Sequence, residues 1–219
     1  MKKPYRIVML GRQGAGKGTQ CSKLAATLGI VHISTGDMLR AALKTGSSYG
    51  LLAADYMERG ELVPDMIILG IVHERLEAND CKVYGFVLDG FPRTLAQAQA
   101  LDKFLEPEGI KLVINLDVPK EVVLERLSSR RVCTGCGRTY SILKAPMVDW
   151  SCDDCGEAVI QRNDDKPEAI ARRLFLYDEV TSPLIEWFDQ SGKLATVKGD
   201  EDFEVVAREI TRVVDMVVT

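Results

Sequence analysis

The sequence has few histidines, no long apolar run and no excess of positive charge. Of its 219 residues only two are histidines, and 28 lysines and arginines face 32 acidic residues, for a net charge of −4. A sequence-independent nucleic-acid binder usually carries a strong basic excess, so this balance disfavours that function. No stretch approaches the roughly 18 apolar residues of a membrane span. We therefore expect neither nucleic acid nor membrane as a partner.

The N-terminal segment predicts a cytoplasmic protein. Only four consecutive apolar residues, 7–10, precede Gly11, too few for the apolar core of a secretion signal. Structural disulfides are rare in the reducing cytoplasm, so the six cysteines are expected to serve other purposes. No assembly surface is evident, and we expect a monomer.

Short apolar runs alternate with helical patterns along the chain. Five runs are nearly continuous in apolar character, as in strands that are covered on both faces: 7–10, 30–33, 86–88, 112–116 and 194–197. Helical patterns cover 16–28, 95–105, 120–131 and a C-terminal stretch with one apolar face, formed by Phe203, Val206, Ile210, Val213 and Val217. The alternation predicts an α/β fold with a doubly wound, five-stranded parallel sheet.

Two insertions interrupt this alternation. Residues 34–64 have a helical pattern, and STGD at its start resembles a capping box formed by Ser34 and Asp37. The second insertion, 132–165, holds four of the six cysteines. We therefore divide the chain into these two insertions and a core, which consists of residues 1–33, 65–131 and 166–219.

Residues 11–19, GRQGAGKGT, hold four glycines and one lysine between a predicted strand and a predicted helix. This order, with G-x-x-x-x-G-K, is typical of a phosphate-binding loop. Glycines let backbone amides close around phosphate oxygens, the helix start adds partial positive charge, and Lys17 supplies a full charge. Gly18 follows the lysine, so the usual hydroxyl ligand for magnesium is displaced to Thr19. A glycine-rich turn without a ligand is the alternative.

The segment LDGFPRT follows another predicted buried strand. In open α/β sheets, ligands bind outside the carboxyl ends of the strands, so Asp89 is expected beside the phosphate loop. Its carboxylate can hold Mg²⁺ directly or through water. Arg93, four residues later, can bind a second phosphate group with two N–H donors. A loop aspartate and a solvated arginine are the alternative.

Further candidate phosphate ligands surround the two insertions. In STGDMLR, Thr35 and Arg40 suit a base edge and a phosphate, although a capped helix with a surface arginine has the same pattern. Other arginines gather at the ends of the second insertion, and they predict a clamp for polyphosphate or, individually, exposed helix charges: Arg126, Arg130, Arg131, Arg162, Arg172 and Arg173. Arg126 and Arg130 are spaced i, i+4 and are expected on one helix face.

Four cysteines form two C-x2-C pairs separated by 15 residues: Cys133, Cys136, Cys152 and Cys155. This spacing predicts a tetrahedral site with four thiolate ligands. It leaves no open coordination position, so the metal is expected to be structural. Zinc is the default, and iron or cobalt accept the same ligands. Cys21 and Cys81 are expected to be small core residues, and both histidines, His32 and His73, to be structural.

Together these segments resemble the adenylate kinase family, in its long form with a metal-bearing lid. The shared motifs follow the family's order across nearly the whole chain: GRQGAGKGTQ, STGDMLR, GELVPD, LDGFPRT, RR at 130–131, QRNDD and RRL. The resemblance implies a fold of the P-loop NTPase type, in which 34–64 binds AMP and 132–165 is the lid. It also implies reversible, Mg²⁺-dependent transfer of the terminal phosphoryl group of ATP to AMP, giving two ADP.

The resemblance also implies roles for individual residues. Lys17, Asp89, Arg93, Arg130, Arg162 and Arg173 are expected to act in the transfer, with Asp89 organising the water shell of magnesium. The residues expected to bind ATP are Gly14, Ala15, Gly16, Lys17, Gly18, Thr19, Arg126 and Arg130. Those expected to bind AMP are Thr35, Arg40, Val63, Gly90, Arg93, Gln97, Arg162 and Arg173. Asp164 and Asp165 resemble a pair that bonds to lid and hinge groups on closure.

The chain departs from the family pattern at Gln13, where proline is usual. Proline would stiffen the loop by fixing φ, whereas glutamine leaves more freedom and removes no phosphate ligand. Many members lack the lid metal, so it is expected to stabilise the lid rather than take part in the chemistry.

The predicted reaction needs positioning and charge neutralisation rather than a general base, because its nucleophile is already a phosphate oxyanion. The two insertions are expected to close over the substrates and exclude water. Three alternatives stay open: a kinase for UMP, CMP or another nucleoside monophosphate, a donor site that prefers GTP, and a zinc ribbon that binds nucleic acid under control of a nucleotide. Thr35, Gln97 and the long lid favour AMP, and the acidic residues among the lid cysteines disfavour nucleic acid.

Overall fold

The computed structural model describes residues 4–218, which contain two β-sheets. The strands are β1 Tyr5–Leu10, β2 Val31–Ser34, β3 Gly85–Asp89, β4 Leu112–Asp117, β5 Arg130–Cys133, β6 Thr139–Ser141, β7 Val159–Ile160 and β8 Leu194–Lys198. The larger sheet is parallel with the order β2-β3-β1-β4-β8, and the smaller is antiparallel with the order β6-β5-β7. The predicted five-stranded parallel sheet is confirmed.

Helices cover both faces of the larger sheet. They are α1 Lys17–Leu28, α2 Thr35–Lys44, α3 Ser48–Glu58, α4 Asp65–Glu77, α5 Asn79–Tyr84, α6 Leu95–Phe104, α7 Lys120–Ser129, α8 Pro167–Leu176, α9 Pro183–Gln190 and α10 Phe203–Val218. A 3₁₀ turn lies at Asn163–Asp165, and a π-helical turn at Tyr177–Thr181 joins α8 to α9. The sequence pattern did not locate α4, α5, α8 or α9.

Alternate residues of the central strands pack into two separate apolar layers. Ile7 and Ile114 face a layer that includes Leu24 of α1 and Ile210 of α10. Val8, Val113 and their neighbours face the other layer, which is built largely from α4, α6 and α9. Because both faces of each central strand are buried, these strands are continuous apolar runs in the sequence.

The predicted helix 120–131 is too long by two residues. It ends at Ser129, and Arg130 has extended backbone angles, φ −63° and ψ 137°. Arg130 and Arg131 pair instead with Ser141 and Tyr140 across β5 and β6. The prediction that Arg126 and Arg130 share one helix face is therefore wrong, because strand pairing takes over where helical periodicity alone would continue.

The C-terminal helix is amphipathic, but its buried face is shorter than predicted. Val206 and Ile210 are 2% and 1% exposed, whereas Phe203 and Val217 are 38% and 52% exposed. The apolar layer instead takes Val214. None of the helices in the described part of the chain combines the length and the apolar character needed to cross a membrane.

The first insertion begins with the predicted cap. Ser34 Oγ accepts a hydrogen bond from the backbone N–H of Asp37 at 3.3 Å, which fixes the start of α2. The Asp37 carboxylate accepts from Arg40 at 2.5 Å. Burial raises the pKa of Asp37, but the hydrogen bonds from Arg40 and Ser34 and the charges of Arg40 and Arg162 together outweigh it, and the net pKa is lowered.

Candidate active site

A cleft of about 1160 Å³ opens at the carboxyl ends of the parallel strands. Ser34 and Asp89, which end β2 and β3, both line it. So do the residues that the family resemblance assigned to nucleotide binding or phosphoryl transfer: Gly14, Ala15, Gly16, Lys17, Gly18, Thr19, Thr35, Arg40, Val63, Asp89, Gly90, Arg93, Gln97, Arg126, Arg130, Arg162 and Arg173. The fold thus brings to one cavity residues that lie up to 159 positions apart, from Gly14 to Arg173.

The glycine loop presents the start of α1 to this cleft. Gly16 caps the helix with φ +98°, a conformation that other residues rarely adopt. Lys17 Nζ donates to the carbonyl oxygens of Gly11 and Arg12 at 2.7 and 2.9 Å. Burial lowers the pKa of Lys17 to about 8, with Asp89 opposing the shift and Arg93 adding to it. The ammonium is held by neutral carbonyls, which an anion can readily replace.

Gly18 lies against the carboxylate that ends β3. A Cβ at position 18 would lie 3.3 Å from Asp89 Oδ2. This is tighter than an ordinary van der Waals contact, so a serine or threonine here would push against the carboxylate. The glycine after Lys17 therefore leaves the cleft side of Asp89 free of a side chain from the loop.

Thr35, at the start of α2, and Gln97, in α6, are each 2% exposed. Gln97 Oε1 accepts from the backbone N–H of Arg93 at 2.7 Å, and its Nε2 donates to Asp65 Oδ1 at 2.6 Å. Both ends of the amide are therefore fixed before any ligand arrives. Asp65 ends the motif GELVPD, in the segment 61–66 expected to close over AMP, but nothing in the spacing connects it to Gln97, which lies 32 positions away.

The arginines of the cleft repel one another. Burial lowers the pKa of Arg162 to about 10, and Arg40 and Arg130 lower it further by their positive charge. Burial, followed by the charge of Arg173, likewise lowers the pKa of Arg93. The Nε atoms of Arg162 and Arg173 are buried and find no hydrogen-bond partner within residues 4–218. Such a concentration of positive charge would be stabilised by a polyanion.

The carboxylate of Asp165 partly neutralises the positive charge of the cleft arginines. This buried carboxylate accepts from Arg130 Nε at 2.8 Å and from Arg173 Nη2 at 3.0 Å. Burial raises the pKa of Asp165, but the hydrogen bonds and charges of Arg130 and Arg173 together outweigh burial, and the net pKa is lowered. Asp164 lines the cleft and accepts from Arg173 Nη1 at 3.3 Å. The two aspartates thus hold arginines from β5 and α8 together.

Two of the clustered arginines do not line the cleft. Arg131 Nη1 donates to the carbonyl oxygen of Arg130 at 2.7 Å. Arg172 forms an exposed ion pair with Glu61, at 2.8 Å between Nε and Oε1. Their assignment to a polyphosphate clamp is wrong, because neighbouring residues of a strand or helix point in different directions. Arg126 stays in the cleft and donates to the carbonyls of Ala15 and Gly199 at 3.2 and 3.1 Å.

The four paired cysteines come together at the end of β5, which contributes Cys133, and their Sγ atoms lie within 4.8 Å of one another. The Sγ atoms of Cys133 and Cys155 are 3.4 Å apart, and those of Cys136 and Cys152 are 3.5 Å apart. Tetrahedral zinc with Zn–S bonds of about 2.3 Å separates its ligands by roughly 3.8 Å, so the cluster fits such an ion. The hydroxyl of Tyr140 donates to Cys152 at 3.4 Å and lowers the pKa of that thiol to about 6.

The comparisons with known proteins agree with this geometry. The family model described as adenylate kinase matches residues 9–193. The chain belongs to the adenylate kinase family. It is 48% identical to an adenylate kinase of Carboxydothermus hydrogenoformans over 94% of this chain and 97% of that protein. An adenylate kinase of Archaeoglobus fulgidus is 46% identical over 96% of this chain and 98% of its own length.

Membership of the adenylate kinase family accounts for the architecture as well as the cleft. Another relative, from Thermodesulfovibrio yellowstonii, is 47% identical over 96% of this chain and 99% of that protein. These matches span both sheets and both insertions. The predicted family, the P-loop type of α/β fold and the prediction of an enzyme are confirmed.

Proposed function

We propose that the cleft carries out the reaction of an adenylate kinase, in which the terminal phosphoryl group of ATP passes reversibly to AMP and two ADP form. The observation that carries the proposal is the group of partly buried, mutually repelling cations that lines the cleft. Lys17, Arg93 and Arg162 all have lowered pKa values, with burial as the first cause and neighbouring positive charge adding to it. A site of this kind is suited to two polyanions held end to end.

ATP occupies the side of the cleft that the glycine loop lines. Its phosphates replace the carbonyls of Gly11 and Arg12 as partners of Lys17 and accept hydrogen bonds from the amides of residues 14–19. Arg126 and Arg130 lie along the base and phosphates. Mg²⁺ accompanies ATP and neutralises phosphate charge, and Asp89 and Thr19 are the residues placed to hold its water shell.

AMP occupies the side lined by α2 and the start of α6. Thr35 and the oriented amide of Gln97 face its base, with Val63 offering backbone contacts. Gly90, Arg40 and Arg93 surround its phosphate. Because Gln97 is already fixed by Asp65 and by the backbone of Arg93, it presents one hydrogen-bonding edge and selects between bases.

The transfer itself needs charge stabilisation, which four arginines supply. Arg93, Arg130, Arg162 and Arg173 surround the migrating phosphoryl group, and no general base is required because the AMP phosphate is already an oxyanion. The Nε atoms of Arg162 and Arg173, which have no hydrogen-bond partner among the described residues, are donors for the charge that develops on the equatorial oxygens.

The two insertions act as covers. Residues 34–64 close over AMP and residues 132–165 close over ATP, which keeps water from the phosphoryl group. The four cysteines hold Zn²⁺, which replaces a hydrophobic core in a segment too small to make one. We further propose that the protein works as a monomer in the cytoplasm.

A coupled assay of ADP formation tests the proposal. Purified protein with Mg·ATP and AMP should turn over, and UMP, CMP and GMP in place of AMP should give rates lower by at least about tenfold. Lys17→Met should reduce turnover severely, while the matched surface variant Lys23→Met should not. Equal rates with all four monophosphates would refute the assignment of AMP, and undiminished turnover of Lys17→Met would refute the loop's role.

A further inference from the structure

Three side chains that can bind a metal meet behind the phosphate loop. Cys21 lies in α1, His32 in β2 and Asp89 at the end of β3. One ligand atom from each, a thiol sulfur, an imidazole nitrogen and a carboxylate oxygen, lies within 4.8 Å of the other two. No sequence motif indicates this cluster, because the three residues are separated by 11 and 57 positions and belong to different elements.

The orientation of His32 suits a metal ligand. Its Nδ1 lies 3.2 Å from Ser22 Oγ, and its Nε2 lies 3.9 Å from Asp89 Oδ2. The Nε2 atom is buried and has no hydrogen-bond partner in the described part of the chain. If Nδ1 donates its hydrogen to Ser22, the lone pair of Nε2 is directed inward. Metal-binding histidines commonly have this arrangement, with the second nitrogen held by an outer partner.

The ligand types decide the class of metal. Thiolate and imidazole are ligands of Zn²⁺ and similar borderline cations, whereas Mg²⁺ prefers oxygen. Tetrahedral zinc would place three such atoms about 3.3–3.8 Å apart, so the side chains need to move by about 1 Å. His32 and Asp89 line the cleft and provide a route of entry. The fully buried Cys21 lies behind them.

We propose that Cys21, His32 and Asp89 form a second metal site, for Zn²⁺ or another thiophilic divalent cation, whose occupation inhibits phosphoryl transfer. The site itself follows from the placement of the three side chains. The inhibition rests on the proposed function, in which the Asp89 carboxylate organises the water shell of magnesium. A cation bound to Asp89 withdraws that carboxylate from Mg·ATP and leaves positive charge at the loop.

Cobalt is the probe for the site, because a thiolate bound to Co²⁺ gives an intense charge-transfer absorption. The protein is first loaded with zinc at the four lid cysteines, and Co²⁺ is then titrated in. We expect one further equivalent in the wild type with the charge-transfer band, and no such band in Cys21→Ala. His32→Gln, in a chain that keeps Cys21, should weaken cobalt binding by at least about tenfold.

Cys21→Ala keeps all four lid cysteines, so it also reports any exchange of cobalt into the lid. A wild-type titration that matches the Cys21→Ala titration in stoichiometry and absorption would overturn the site. Binding in the wild type that His32→Gln leaves unchanged would overturn the proposed ligand set. Neither measurement uses nucleotide, so both stand even if the chain fails to turn over ATP and AMP.

The inhibition has its own test in the ADP assay at constant Mg²⁺. Cys21 is buried and does not line the cleft, so Cys21→Ala should keep its activity in the absence of zinc. We expect added Zn²⁺ to inhibit the wild type at concentrations at least about tenfold below those that inhibit Cys21→Ala. Equal inhibition of the two proteins would overturn the inhibitory role, even if the cobalt titration had demonstrated the site.

Discussion

Arg12 of the glycine loop is ion-paired to Asp178 in the π-helical turn, with Nε and Nη2 at 3.2 and 3.0 Å from Oδ1. The guanidinium also lies 5.2 Å from the ring centroid of Tyr177. The carbonyl of Arg12 is one of the two that hold Lys17. One residue thus connects the phosphate loop to the junction of α8 and α9.

The first prediction concerns this connection. Arg12→Ala should loosen the loop and raise the KM for ATP more than the KM for AMP, and the lost hydrogen bonds should lower the free energy of unfolding by about 1–2 kcal/mol. Steady-state kinetics with each substrate varied and urea denaturation measure the two effects. Lys120→Ala is the control, since Lys120 binds the same Asp178 without touching the loop. Equal changes in both KM values would contradict a specific effect on the loop.

The second prediction follows from the buried ammonium of Lys17. Burial lowers its pKa to about 8, so the free enzyme loses this charge as the pH rises through that value. The kcat/KM for ATP, which reports the free enzyme, should therefore fall above about pH 8. Bound phosphate favours the charged form, so kcat should hold to higher pH. A kcat/KM for ATP that stays level to pH 10 would exclude this assignment.

The third prediction uses two adjacent arginines of α8. Arg173→Ala should lower kcat by at least about 10³-fold, because an arginine at a phosphoryl-transfer transition state contributes about 10³–10⁵ in rate. Arg172→Ala, which removes a surface ion pair with Glu61 and a contact with the Phe175 ring, should change kcat by less than about twofold. Rapid-quench and steady-state measurements on both variants decide the matter. Comparable losses in the two would indicate a general effect on α8.

The fourth prediction concerns Asp165 and acid stability. Its folded pKa is lowered, so its contribution to stability is present above the ordinary aspartate pKa of about 4 and is lost as the pH falls through the folded value. Asp165→Asn leaves Arg130 and Arg173 without their buried partner and should cost about 3–5 kcal/mol at neutral pH. The difference from the wild type should shrink on acidification.

Denaturant unfolding of both proteins between pH 7 and 3 checks the fourth prediction. Glu209→Gln serves as the control, because the exposed pair that it breaks with Arg212 lies on the surface of α10. A constant difference between Asp165→Asn and the wild type across this range would show that the carboxylate charge is not responsible.

The fifth prediction concerns the lid cysteines. Removing the metal with a chelator should lower the Tm while the remaining fold stays able to bind ATP through the glycine loop. Tyr140→Phe, which deletes the hydrogen bond to Cys152, should weaken metal binding by about 10–100-fold. Calorimetry and metal competition measure the two effects. An unchanged Tm after complete metal removal would exclude a structural role.

Much of the fold could be read from the sequence because the central strands are buried on both faces. Ile7 and Val8 of β1 are both fully buried, so strand and apolar run coincide. The same reasoning missed α4, where Met66 is 85% exposed and apolar side chains are not confined to one face. It also extended α7 over Arg130, because the pairing of Arg130 with Ser141 depends on a strand that helical periodicity cannot reveal.

The candidate site was predictable where a motif carries its own geometry. The loop from Gly11 to Lys17 has this property, because the spacing of its glycines between a strand and a helix determines the conformation of its backbone. The partners that fix Gln97 and the meeting of Cys21 with His32 had no such signal, since they depend on contacts between distant elements. Arg172 and Arg173 show the same limit at short range. Their adjacent positions in the sequence predicted that both would bind polyphosphate, but successive residues of a helix point in different directions and only Arg173 lines the cleft.

The mutual repulsion of the arginines in the cleft affects the stability of the protein. Without substrate, the charges around the cleft oppose the folded state, and bound nucleotide relieves that opposition. Ligand at 100 times its Kd already adds about 2.7 kcal/mol to stability by mass action. The concentration of adenine nucleotides would then set part of the stability of the enzyme. When that concentration falls, the Tm of the enzyme in the cell should fall with it.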